Sequence, residues 1–375
     1  MKKYFKSQRG FGVVSVLILI VVVLLVLATL YFYKFKKEET IKIGAIISLT
    51  GGGSHLVGLR DGMLLAVEEV NSAGGINGRK IEMIVEDSRT DPAEGVKAFE
   101  RIESAHHPLA YVSTLSSVSL ALAPLAERNQ VPLVGLVASA PELVEGKEWV
   151  FRHYITSEGE TPPIMVWLKR LAVEKLGILY LEDAYGRSVY ASLKEKCRKA
   201  NVLVKEQGFE TKDFDVSRQI GELKDMDAVY VVGLVKHVSD ILKQLRKEKY
   251  SGIILAASGA AADQICSLPE ANDVYIAAPA IYNPNYPYHK RLKEKYAARY
   301  HKPLVHQDAN GYDFVKLLAG LLEDREPTRR NLKDILDQGF SYSGVFGPLT
   351  VSAGEHNIPI PLFPARIVGN KIEYH

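Results

Sequence analysis

From residue 41 the chain alternates between apolar and polar positions. Ile41, Ile43, Ala45 and Ile47 share one face of a strand, and Leu59, Met63, Ala66, Val67 and Val70 then recur at helical spacing. Asn71, Gly74, Gly75 and Gly78 supply a break and a turn, after which Ile81, Met83 and Val85 alternate as a second strand. Asp91 is placed to cap a further helix, with Pro92 in its first turn and Glu94 where a capping box needs its acid. Strands alternating with helices of this length predict an α/β fold with a parallel sheet covered on both faces.

The pattern continues with strands at 109–112 and 133–136 and a helix near 119–128. Around 151–160 regular patterning lapses, and Pro162-Pro163 reads as the opening of a new helix before a strand at 176–181. A second alternating series follows, with helices near 187–200, 216–224 and 235–247 and strands at 202–205, 228–232 and 252–256. Beyond it lie a strand near 274–277, a proline-rich stretch at 279–287, helices near 288–300 and 309–322, and a patterned segment at 342–349.

Ahead of all this runs a charge-free stretch, residues 11–33, long enough to cross about 30 Å of hydrocarbon as a helix. Ala28-Thr29-Leu30 offers no small-x-small cleavage site, and no cysteine follows to carry a lipid. Lys2, Lys3, Lys6 and Arg9 flank one end against Lys34, Lys36 and Lys37 at the other, a slight bias for a cytoplasmic N-terminus and an exported domain. The expected organisation is therefore a basic segment 1–10, a membrane anchor 11–33 and a linker 34–40. A competing reading takes Gln8-Arg9-Gly10-Phe11 as a type IV prepilin leader, although Ser15 stands where that leader's glutamate is expected.

Without the anchor roughly 340 residues remain, too many for one ordinary core and enough for two lobes. Lys+Arg 47 against Asp+Glu 44 gives a formal charge of +3, which provides no reason to propose nucleic acid as a partner. Cys197 and Cys266 lie far apart without metal-ligand spacing and read as core or surface thiols. Gly51-Gly52-Gly53 lacks the Gly-Lys-Ser/Thr of a phosphate loop and the spacing of a dinucleotide fingerprint. There is no G-x-S-x-G elbow, and His106-His107 has no H-E-x-x-H context. No enzyme, cofactor or metal is expected.

The stretches IKIGAIISLTG, AVEEVNSAGGINGRKIEMIVEDSRTDPAEGV, APLAERNQVPLVG, APELVEGKEWVFR, DAYGRS and DFDVSRQIGELK, with a weaker GPLTVSAGEHN, also carry a resemblance. Together the chain is similar to the amino-acid-binding branch of the type I periplasmic binding proteins, typified by the leucine/isoleucine/valine-binding protein of bacterial ABC importers. The resemblance implies two doubly wound parallel-sheet lobes joined by three crossovers, with a small-molecule ligand held between them and delivered to an ABC permease. Lobe one would comprise 41–155 and 278–340, lobe two 156–277 and 341–375, the last crossing falling near 342–349.

Open parallel sheets bind ligands beyond the carboxyl ends of their strands. Ser116-Ser117 follows the third strand, where the serines either cap a helix or dock a carboxylate. The resemblance implies that Ser117, and Ser139 beside Ala138, hold a ligand carboxylate, and that Tyr185 is the tyrosine of lobe two. Where the family's amino-acid binders carry a glutamate for the ligand ammonium, this chain has Ser258, and Leu234 replaces a nearby tyrosine. Loss of that acid argues against a simple zwitterionic amino acid, unless Asp183, Asp240 or Asp263, each expected to be solvated or capping, replaces it. Val57 would add an apolar wall, and His55 is either a loop residue or a ligand contact. The expected ligand is small, amino-acid-like, carboxylate or amide, with an apolar portion. The alternative to import is a sensory or pilus-associated module of the same fold.

Overall fold

The structure, a computed structural model, describes residues 16, 18–26, 40–210 and 215–375. The expected anchor at 11–33 lies largely outside the described residues, as do the basic segment 1–10 and positions 34–39 of the linker. Residues 18–26 are helical with exposed side chains. Among the described residues no helix is long and apolar enough to cross a membrane.

The first sheet runs β13-β5-β4-β3-β1-β2 and is parallel throughout. Its strands are β1 (Ile41–Ile47), β2 (Ile81–Asp87), β3 (Ala110–Thr114), β4 (Leu133–Leu136), β5 (Val150–His153) and β13 (Asn357–Ile358). Helices α1 (Val57–Ser72), α8 (Lys290–Tyr300), α9 (His306–Leu321) and α10 (Arg329–Gln338) pack on one face. Helices α2 (Pro92–His106) and α3 (Ser116–Asn129) cover the other, as in a doubly wound lobe. α1 and α9 touch closely because Gly62 and Gly311 face them: a Cβ at Gly62 would meet the Asp308 carbonyl.

The second sheet runs β15-β14-β10-β9-β8-β6-β7. Strands β6 (Lys175–Leu181), β7 (Leu203–Phe209), β8 (Ala228–Val232), β9 (Ile253–Ala256) and β10 (Tyr275–Pro279) are parallel, between α4 (Ser157–Arg170) with α5 (Ala184–Lys199) and α6 (Ser217–Leu223) with α7 (Val235–Lys247). The sheet is mixed rather than purely parallel, because β14 (Leu362–Val368) and β15 (Lys371–Tyr374) join antiparallel. Their two-residue turn places Gly369 and Asn370 at φ 52° and 67°, the pair of left-handed conformations a tight hairpin requires.

The chain passes between lobes three times: after β5, after β10, and between β13 and β14. The last passage lies beyond Ile360, not near 342–349. The hairpin β11 (Phe340–Gly344) and β12 (Gly347–Val351) belongs to lobe one, where Val345, Phe346 and Val351 are buried in its core. Asp313 on α9 fixes it, its Oδ1 accepting from Val345 N at 2.8 Å and from the Tyr342 hydroxyl at 3.0 Å.

Helix α4 also begins earlier than Pro162-Pro163, at Ser157, with Thr156 Oγ1 accepting from Gly159 N. Proline at 162 removes the N–H that would bond the Glu158 carbonyl. Thr161 Oγ1 donates to that carbonyl at 2.9 Å and Lys196 Nζ at 3.0 Å, which lets the helix run through.

Two clusters tie the passages to α9. His153 Nε2 meets Asp313 Oδ2 at 3.0 Å while its Nδ1 meets the Ile358 carbonyl at 3.1 Å, so the ends of the first and third passages share one imidazole. His306 hydrogen-bonds Tyr154 through Nε2 and Tyr282 through Nδ1, joining the first and second.

Candidate functional site

The loops after β3 and β4 in lobe one face those after β6, β8 and β9 in lobe two, and together they enclose a cavity of about 240 Å³. Tyr154 from the first passage, Glu160 from the first turn of α4 and Gln307 from α9 add to the wall. The lobes meet here: Leu234 packs against the cores of both.

Leu115 and Val137, at the ends of β3 and β4, have φ of 66° and 53°, and Leu115 N donates to the Val137 carbonyl at 3.1 Å. Non-glycine residues in such conformations cost about 1–3 kcal/mol each and persist where the surroundings impose them. Here the strain sits in the cavity wall. It turns the chain so that α3 starts at the cavity, with Leu115 as its N-cap and no side-chain cap bond. The first N–H groups of that helix are suited to an anion.

Ser116, Ser117 and Ser139 all line the cavity. Ser116 Oγ accepts from Ser139 N at 3.1 Å and Ala140 N at 3.2 Å, bracketing the two loops together. Ser117 is half-buried at the mouth of the helix. Ser139 Oγ is buried and makes no hydrogen bond within the protein. Ala138 is not on the wall: it is fully buried in the cluster beneath α3. Val57 also misses it, because the short helical turn Gly51–Leu56 delivers His55 to the cavity while Val57 lines a neighbouring one with Asp263 and Asp308. Burial pushes the His55 pKa down to about 4, so it is neutral near pH 7.

From lobe two come Tyr185, Leu234 and Ser258. Tyr185 sits in the first turn of α5, behind Asp183, whose Oδ1 accepts from Gly186 N at 2.8 Å as a helix cap. Asp183 reaches the wall too, and burial raises its pKa. Asp240 instead pairs with Lys236 at 2.7 Å on the solvent face of α7.

The sequence reading missed Glu160. It is 1% exposed, lines the cavity, and accepts from Ser258 Oγ at 2.6 Å and from Ser258 N at 3.0 Å. Burial pushes its pKa up to about 7, against the opposing pull of those two hydrogen bonds. Among the described residues no basic side chain pairs with it. The Tyr154, Tyr185 and Tyr230 phenols all lie within its field, and the buried Tyr230 hydroxyl has no hydrogen-bond partner. In sequence Glu160 lies in the stretch 151–160 where regular patterning lapses, ahead of the helix start expected at Pro162-Pro163, so no periodicity marks it.

The family described as periplasmic binding protein matches residues 40–371. The leucine-, isoleucine-, valine-, threonine- and alanine-binding protein of Pseudomonas aeruginosa is 23% identical over 61% of this chain and 63% of its own length, so under two thirds of that relative is spanned. The chemotactic signal transduction system substrate-binding protein BasB of Halobacterium salinarum is 26% identical over 90% of this chain and 82% of its own. Among solved structures, the branched-chain amino acid transporter substrate-binding protein LivJ of Streptococcus pneumoniae, in complex with isoleucine, has a TM-score of 0.80 at 23% identity, covering 89% of this chain and 98% of that one. A fatty acid ABC transporter substrate-binding protein of Thermomonospora curvata also reaches 0.80, at 22% identity, covering 89% and 91%.

Proposed function

The chain belongs to the periplasmic binding protein family, made of substrate-binding proteins rather than enzymes, and from that premise we propose that it captures a small solute outside the cytoplasm for an ABC importer. The observation that carries the reading is the cavity between the lobes, where an uncapped helix N-terminus and an unpartnered Ser139 hydroxyl face a wall of Leu115, Val137, Leu181, Leu234 and Val235. The polar end suits a carboxylate and the wall an aliphatic portion. An amino-acid-like, carboxylate or amide ligand combines both. Ser117 and Ser139 would hold its acid end and Tyr185 its lobe-two side, with Ser116 acting through the bracket it forms. Ligand touching both lobes would favour the closed form by its differential contacts.

Replacing Ser117 or Tyr185 by alanine is expected to cost about 1–3 kcal/mol of binding, the range for a buried group left unpaired; the melting temperature of ligand-free protein is expected to stay unchanged for Ser117→Ala and to fall for Tyr185→Ala, whose ring also packs on the lobe-two core. Calorimetry and melting curves on the same variants check this. A lower melting temperature with intact affinity for Ser117→Ala would make the serine a purely structural residue.

Residues 11–33 would tether the domain as a single-pass anchor with its binding lobes exported. N-terminal sequencing of the mature protein is expected to return the intact N-terminus. A start near Thr40 would refute the anchor, and a start at Phe11 would favour prepilin-type processing. A sensory output is the second reading, favoured by the match along most of the chain to the chemotactic relative from Halobacterium salinarum.

A further inference from the structure

Ser258 stands where an acid was expected for a ligand ammonium, yet the place is not without one. The carboxylate of Glu160 reaches it from the start of α4 and is gripped by the Ser258 hydroxyl and backbone N–H. We propose that Glu160 is the acceptor for a ligand ammonium, supplied from the first turn of α4 instead of the loop after β9, and that Ser258 positions it. The cleft then takes a zwitterion and releases a proton as it does so. This rests on the solute-binding reading above and narrows its ligand class.

A buried carboxyl met only by neutral donors is costly in its charged form, and a cation in contact removes most of that cost. Two donors occupy about half of a carboxylate's lone-pair sites, leaving acceptor capacity on a side chain that lines the cavity. The lobe-one wall offers the complementary chemistry, since the α3 N-terminus and the Ser139 hydroxyl suit a carboxylate. Opposite preferences within one cavity of about 240 Å³ match the two ends of an α-amino acid.

Among the titratable groups at the site, Glu160 is poised near neutral pH. His55 is neutral there, with its pKa near 4. The phenols of Tyr154, Tyr185 and Tyr230 are all pushed above their ordinary value and stay neutral. Asp183 is committed to the Gly186 N–H. Without ligand Glu160 titrates at about 7. An adjacent ammonium favours its charged form and lowers that value, so binding below pH 7 expels the proton and affinity falls as pH falls.

The test is calorimetry on the full-length chain with matched pairs: leucine and isocaproate, valine and isovalerate, alanine and propionate. Titrations at pH 6 and pH 8 use buffers of different ionisation enthalpy to count protons. The amino acid that binds is expected to do so about tenfold more weakly at pH 6 than at pH 8, with net proton release at pH 6, and more tightly than its deaminated partner at pH 8. E160Q, with its fold checked by melting, is expected to lose about a hundredfold at pH 8 and to flatten the pH profile. S258A removes one donor to the charged carboxylate and is expected to move the profile's midpoint upward. Equal binding by E160Q, or deaminated acids binding as well as the amino acids, would overturn the inference and leave solute binding intact. No binding by any pair would overturn the amino-acid and carboxylate reading of the cleft along with it.

Discussion

Replacing Asp313 by alanine is expected to destabilise the folded chain by about 3–5 kcal/mol, the range for breaking a buried pair by removing one partner. Both carboxylate oxygens are in use. Oδ2 meets His153 Nε2 at 3.0 Å with both side chains essentially inaccessible, and Oδ1 accepts from Val345 N and Tyr342. Alanine would strand the imidazole and a buried backbone N–H and detach the β11–β12 hairpin from α9. Asparagine retains the shape and part of the hydrogen bonding, so Asp313→Asn is expected to cost less. Denaturant unfolding of both variants checks the order. A loss below about 1 kcal/mol for Asp313→Ala would show that the hairpin is held by apolar contacts alone.

The second expected result is a gain. E160Q should stabilise the ligand-free chain by up to about 3 kcal/mol at pH 8 and leave it nearly unchanged at pH 4. The acid's ordinary value is 4.5 and its folded value about 7. Across that window the folded state keeps a proton that the unfolded state has lost, so stability falls as pH rises from about 4.5 to 7 and stays reduced above it. Glutamine has no such charge to bury, and its amide can both accept from Ser258 N and donate to Ser258 Oγ. A variant that is more stable empty and poorer at binding is the signature of a site held at a cost to the fold. Melting curves at both pH values decide it. An unchanged or lower melting temperature at pH 8 would show that the carboxylate carries no burial penalty.

The regions most legible in the sequence were those where apolar residues recur at one period or form an unbroken run. β1, α1 and β2 show their alternation directly, and β4, β8 and α7 fall where periodicity placed them. β5 was hidden because its second half is polar: Arg152 and His153 are buried through specific partners, Asn357 and the Ala140 carbonyl for one, Asp313 and the Ile358 carbonyl for the other. Those partners are remote in sequence, so no local pattern announces them. The same applies to the β11–β12 hairpin, whose attachment depends on Asp313.

Within the site, loops after strand ends brought Ser117, Ser139, Tyr185, Leu234 and Ser258 to the cavity wall as a set. Val57 and Ala138 were misplaced because a shift of one or two residues along a tight turn decides which side chain faces inward, His55 in place of Val57 and Ser139 in place of Ala138. Glu160 was invisible because its acceptor role arises only when α4 and the loop after β9 come together across ninety-odd positions of chain.

Thermal melting of the full-length chain against amino acids, small carboxylates and amides tests the central claim most directly. Ligand at a hundred times its Kd should stabilise the protein by about 2.7 kcal/mol. At least one compound with an acid end and an aliphatic portion is expected to raise the melting temperature, and Ser117→Ala and Tyr185→Ala should each reduce that rise. No rise with any of these compounds, or a rise that both variants leave intact, would contradict capture of such a solute in the cleft between the lobes.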